Sequence, residues 1–126
     1  MKKFVIGGGI VLFLVGMGFW GYYSSARPAA LDEFAKCLND KGAKFYGAFW
    51  CPHCQNQKAM FGRSEKYLPY IECSTPDTKG QLQVCTDKKI TGYPTWEFAD
   101  GSRESGEVEP ALLAEKTGCT LPKASQ

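Results

Sequence analysis

Phe49-Trp50-Cys51-Pro52-His53-Cys54 is a C-x-x-C pair set between two different kinds of sequence. Before it runs an apolar, aromatic stretch, Ala43 to Phe49, which reads as a strand covered on both faces. After it, Pro52 to about Tyr67 reads as a helix, with Gly62 as a kink or break. Cys51 therefore falls where a helix begins. The first turn leaves backbone N–H groups without partners, and the macrodipole is positive there. Both features stabilise a thiolate, so Cys51 is read as the attacking sulfur. Pro52 suits the first helical position, since it has no N–H to leave unpaired and its φ is already helical. Cys54 lies one turn further on the same face, within reach of Cys51. This geometry supports disulfide exchange through a mixed disulfide.

Working outward, Leu31 to Lys41 reads as a helix, because Leu31, Phe34, Ala35 and Leu38 form an apolar stripe at helical spacing and Gly42 can end it. Pro69 to Cys73 is a second strand, and Ser74 to Thr78 a turn. Lys79 to Lys89 is expected to be a helix carrying Leu82 and Cys85 on one side. Thr95 to Ala99 and Ser102 to Val108 form a hairpin about Asp100-Gly101. Pro110 to Thr117 is the last helix, with Gly118 at its end. The first two strands are expected to be parallel, joined by a right-handed crossover.

The combination of Trp50-Cys51-Pro52-His53-Cys54 with the downstream turn Gly92-Tyr93-Pro94-Thr95-Trp96 resembles the thioredoxin superfamily. The run Gly42 to Gln55, with Tyr70-Ile71-Glu72-Cys73, Cys85 and Gly92 to Trp96, looks like the thioredoxin-like domain that accompanies bacterial vitamin K epoxide reductase homologues. That likeness covers roughly Leu31 to Gly118. It implies an α/β fold, a thioredoxin-like three-layer sandwich with a mixed central sheet, over residues 31–126. It implies that Pro94 is cis and faces the active pair and that the Tyr93 backbone pairs with a substrate chain. Trp50 is read as packing and shielding, and Trp50, Tyr93 and Pro94 are the expected substrate-binding residues. Classical reducing thioredoxins carry a buried Asp six residues before the first cysteine, where this chain has Phe45. That departure, and a Pro52-His53 dipeptide in which His53 can stabilise the Cys51 thiolate, favour an oxidant over a reductase.

Six cysteines in so short a chain suggest an oxidising compartment. The related domain has cysteines near positions 73 and 85, so the resemblance implies a Cys73–Cys85 bridge, which leaves Cys37 for Cys119. Free buried cysteines and a second redox relay are the other readings. Metal and haem are set aside on spacing. Gln55 follows Cys54 where a c-type haem needs His, and the second ligand pair of a structural zinc site is missing. No cofactor is implied.

Met1 to Lys3 is basic, and Phe4 to Tyr23 then runs without a charge, long enough for one transmembrane helix. Trp20, Tyr22 and Tyr23 sit at its outer end, and Lys2 and Lys3 place residues 1–3 in the cytoplasm. The alternative is a signal peptide cleaved after Ser24-Ser25-Ala26. Residues 24–30 form a short linker, which would keep the catalytic domain close to the membrane on its periplasmic or extracytoplasmic side. Lys2 and Lys3 are two of the 15 basic residues, so the rest of the chain carries as many basic as acidic side chains. A nucleic-acid surface needs a clustered basic face, and none is present.

The expected function is a thiol–disulfide oxidoreductase acting on substrate proteins with thiols or disulfides. The resemblance implies a quinone-linked membrane partner similar to vitamin K epoxide reductase. Two alternatives stand beside it: a reductase or isomerase fed electrons by a membrane donor, and a non-catalytic module that binds unfolded chains.

Overall fold

In β1 (Lys44–Gly47), neighbouring residues point to opposite faces of the sheet, and both faces are covered. Phe45 seeds one core with Phe34, Ala35 and Leu38, Trp96, and Leu113, while Tyr46 seeds a second with Cys73, Cys85 and Ile90. The computed structural model describes residues 14–19 and 29–123. Around β1 are α1 (Asp32–Asp40), α2 (Pro52–Ala59), a 3-10 segment (Gly62–Tyr67), β2 (Tyr70–Glu72), α3 (Gln83–Asp87), β3 (Thr95–Glu97), β4 (Arg103–Ser105) and α4 (Pro110–Thr117). The sheet order is β2-β1-β3-β4; β1 and β2 are parallel and the other pairs antiparallel. This is a thioredoxin-like α/β fold with a mixed four-stranded sheet. α1 and α4 contribute to the first core, and α3 to the second.

The apolar stripe of α1 is buried as its spacing predicts, and Gly42 ends the helix region at φ +79°. α1 has no side-chain cap on its first N–H groups. Asp32 is tied down instead by Ala29 N–H (3.0 Å) and the Ser64 hydroxyl (2.8 Å). Burial pushes the Asp32 carboxyl up, but these two bonds, with Lys66 and Lys36 nearby, outweigh it and hold it below its usual range. α4 starts at Pro110 and is closed by Gly118, whose left-handed φ of +74° lets its N–H reach the Ala114 carbonyl.

Several expected elements are shorter than read: the strand expected over 43–49 is β1 and that over 69–73 is β2. The α-helix after the cysteine pair stops at Ala59, and the chain continues as a 3-10 segment from Gly62, whose φ is +53°. The expected helix over 79–89 shrinks to α3, because Ser74 and Gln81 pair in an antiparallel bridge and Leu82 N–H bonds to the Cys73 carbonyl. The hairpin arms shorten to three residues each around the Asp100-Gly101 turn.

Of the expected span 4–23, residues 14–19 are described and are helical; the rest of it, and linker residues 24–28, lie outside the described residues. Among the described residues, no helix is long and apolar enough to cross a membrane.

Candidate active site

Cys51 is the N-cap of α2, and Pro52 occupies the first turn. The backbone N–H of Cys54 donates to the Cys51 sulfur at 3.4 Å, so one orphan donor of the helix start is spent on that atom. The Cys51 thiol in turn lies 3.7 Å from the Tyr93 carbonyl oxygen. The Tyr93–Pro94 peptide is cis. Cys51, Cys54, Pro52, Tyr93 and Pro94 thus form one cluster, built from the start of α2 and the turn before β3. Cys51 and Cys54 are free thiols, and both are buried.

The two sulfurs differ in environment. Cys51 keeps a trace of exposure as a residue (5%), whereas Cys54 has none. Burial pushes the Cys54 thiol up to about 12, helped by its hydrogen bond with Cys51; a bond from the Ala48 backbone and the nearby Lys58 charge oppose the shift only in part. Phe45 stacks on Trp96 (centroids 4.9 Å) and meets Tyr70 edge-on (5.1 Å). The position that holds an acid in classical thioredoxins is therefore part of an aromatic wall.

Trp50 and Phe49 are about half exposed (48% and 46%) beside the buried thiols. Their loop is held from behind. Glu72 accepts hydrogen bonds from Phe49 N–H (3.2 Å), Ser74 N–H (2.8 Å) and the Tyr70 hydroxyl (2.7 Å). The Gln55 amide donates to the Phe49 carbonyl (2.7 Å). Burial, then Glu72, pushes the Tyr70 phenol well above its usual range. Lys58 lies 3.7 Å from the centre of the Tyr70 ring, a cation–π contact.

His53 is mostly exposed, and its Nδ1 meets Glu107 Oε2 at 2.8 Å. The expectation put this ring beside the Cys51 sulfur; its hydrogen-bond partner is the Glu107 carboxylate. Glu107 is held by its neighbour. Val108 N–H donates to the Gln57 side chain (2.7 Å), and the Gln57 amide donates to the Val108 carbonyl (2.9 Å). Gln57 also accepts from the Trp96 indole N–H (3.1 Å) and is fully buried. His53 and Gln57 are one helical turn apart, which lets both engage this segment.

The other four cysteines are paired: Cys37 with Cys119 (Cα–Cα 5.9 Å) and Cys73 with Cys85 (5.5 Å). The first joins α1 to the chain after α4. The second joins the end of β2 to α3.

Gly47 shows how tightly the buried thiol is enclosed. A Cβ there would lie 2.8 Å from the Tyr70 ring and 3.0 Å from the Cys54 sulfur. Gly47→Ala is expected to destabilise the fold by about 1–3 kcal/mol, as overpacking does. Urea unfolding of the two chains compares them directly, and an unchanged midpoint would show that the enclosure yields freely.

The thioredoxin family profile matches residues 29–117. Among curated proteins, the chain is 51% identical over 108 residues to the thiol-disulfide oxidoreductase LTO1 of Arabidopsis thaliana, covering 82% of this chain and 28% of that protein. It is 31% identical over 86 residues to the thioredoxin domain-containing protein 5 homolog of Drosophila melanogaster, covering 59% and 20%. It is 28% identical over 89 residues to the mouse thioredoxin domain-containing protein 2, covering 65% and 17%. The chain thus spans less than a third of the length of each of these relatives.

Proposed function

The chain belongs to the thioredoxin family, and from that premise we propose that it is a membrane-anchored, extracytoplasmic thiol–disulfide oxidoreductase that introduces disulfides into substrate proteins. The observation that carries this reading is the pairing of two inequivalent thiols at a helix start, with Cys51 against the Tyr93 carbonyl and Cys54 sealed behind it.

In the proposed cycle the Cys51–Cys54 disulfide is the oxidant. A substrate thiolate attacks the Cys51 sulfur; the Cys51–Cys54 bond breaks, a substrate–Cys51 bond forms, and Cys54 leaves with the electron pair. Cys54, with so high a proton affinity, takes up a proton and becomes a poor nucleophile at neutral pH. A second substrate thiolate then attacks the mixed disulfide. The substrate leaves oxidised, and Cys51 and Cys54 hold the two electrons. The resemblance to domains that accompany vitamin K epoxide reductase homologues supports a quinone-linked membrane partner as the acceptor of those electrons. The uncharged run 4–23 supports an anchor that holds the domain near it. Phe45, where reducing thioredoxins carry an acid, supports the oxidising direction.

The test is the equilibrium reduction potential of Cys51–Cys54 in the full chain against glutathione, with thiols counted by mass spectrometry. The expected potential lies well above the roughly −270 mV of thioredoxin, with two titrating thiols and four cysteines still bridged. A thioredoxin-like value would reverse the proposed direction of flow.

A further inference from the structure

The mouth around Cys51 has two aromatic walls, Trp50 and Tyr93, whose rings meet edge-to-face with centroids 6.1 Å apart. Each ring has one polar handle, and both handles are held by the same short loop. The Trp50 indole N–H donates to the Ser74 hydroxyl oxygen (2.8 Å), and the Gln81 amide donates to the Tyr93 hydroxyl (2.7 Å). Ser74 and Gln81 face each other across the antiparallel bridge that narrows this loop, so the two tethers start from one rung.

The remaining capacity of the tethers is also committed. The Ser74 hydroxyl donates to the Thr75 carbonyl (2.9 Å); the Gln81 amide also donates to the Ile90 carbonyl (3.0 Å), and its oxygen accepts from the Thr86 hydroxyl (3.2 Å). The Cys73–Cys85 bridge closes the base of the loop. Thr75 and Gly80 close its tip through Thr75 N–H to the Gly80 carbonyl (3.0 Å) and Gly80 N–H to the Thr75 hydroxyl (2.9 Å). Ser74 is buried.

With the indole N–H donated and the phenol oxygen held by the Gln81 amide, the two rings offer their faces and edges to whatever approaches Cys51. Such surfaces take apolar and aromatic side chains, and they do so at little entropic cost when they are already fixed. We propose that Ser74 and Gln81 are positioning residues that fix Trp50 and Tyr93 as a preformed cleft, selecting substrate segments with an apolar side chain next to the reacting cysteine. This rests on the exchange chemistry proposed above and adds to it the substrate class.

The experiment uses the full chain with the Cys73–Cys85 bridge verified by non-reducing mass spectrometry. Two dithiol peptides are compared, one with Leu or Phe beside the reacting cysteine and one with Glu there. Ser74→Ala with Gln81→Ala is expected to raise KM for the apolar peptide about tenfold, from the loss of two hydrogen bonds. KM for the acidic peptide and the glutathione equilibrium of Cys51–Cys54 are expected to stay within twofold. Ser74→Thr, which keeps the hydroxyl, is expected to restore the KM of the Ser74→Ala chain. Trp50→Phe removes the indole N–H and leaves the loop whole, so it is expected to raise KM as Ser74→Ala does and to add nothing in combination with it.

Equal effects on both peptides, or a shift of the glutathione equilibrium in step with KM, would overturn the proposal, because the loop would then be acting on the dithiol itself. So would an unchanged KM in every variant. A chain that exchanges only in the reducing direction would overturn the direction of flow proposed above. The same KM comparison, read on the peptide disulfides, would still decide the role of the loop.

Discussion

Cys51→Ser is expected to lower dithiol oxidation at least about a thousandfold, a barrier increase of about 4 kcal/mol. The reason lies in the order of events. Cys51 is the less buried of the two residues, while Cys54 has no exposure and a thiol pushed up to about 12. An incoming sulfur can reach only the first of them. Serine keeps the size and the N-cap hydrogen bond but cannot form the mixed disulfide. Cys54→Ser should give a different phenotype. It leaves Cys51 able to join a disulfide substrate but removes the internal sulfur that releases it. The covalent adduct should therefore accumulate and be seen by mass spectrometry as a single modification at Cys51. In the wild-type chain, escape of that adduct through Cys54 should quicken as pH rises, since a thiol with a raised pKa gains thiolate all the way up to about 12. Turnover within tenfold of wild type in Cys51→Ser would remove Cys51 from the mechanism.

The other large effect should come from the bridge furthest from the chemistry. Cys37 and Cys119 are 82 residues apart, whereas Cys73 and Cys85 are 12 apart. On the chain-entropy account, stabilisation grows with the loop closed: about 4.5 kcal/mol for the long loop and about 3 kcal/mol for the short one. Cys37→Ala with Cys119→Ala should therefore cost about 4 kcal/mol and lower Tm by roughly 20 °C in a domain of this size. Both cysteines pack within or against the main core, so some of the loss is packing. Calorimetry on this pair and on Cys73→Ala with Cys85→Ala checks the ordering. A larger loss from the short loop would show that local packing, and not unfolded-chain entropy, sets the contribution.

The parts of the fold that could be read in the sequence are those set by neighbours along the chain. The stripe Leu31, Phe34, Ala35 and Leu38 announced α1. Pro110 and Gly118 bounded α4, and Pro52 after Cys51 marked the start of α2. These are rules of a few residues' range. What could not be read depends on residues brought together from far away. The helix expected over 79–89 was shortened by a single bridge between Ser74 and Gln81, which has no signature in local composition. Gln57 looks like a solvent-facing helix residue, yet it is fully buried because Trp96 and Val108 converge on it. The roles of Glu72 and Glu107 had no local signature either. Their distant partners at the site, Phe49 for Glu72 and His53 for Glu107, are 23 and 54 residues away. The cysteine pair itself was legible, as was the cis turn that the resemblance placed at Pro94. The hydrogen-bonded frame behind them required the folded chain.

The long bridge also changes how the domain bears force. A pull on the chain at points outside Cys37 and Cys119 runs from one to the other through two sulfur atoms, bypassing the sheet and the thiol pair. About 300 Å of contour, at the extended length of roughly 3.6 Å per residue, is thereby kept out of the line of tension. Tugging on either flank loads a covalent shortcut, and the region that meets substrate stays slack.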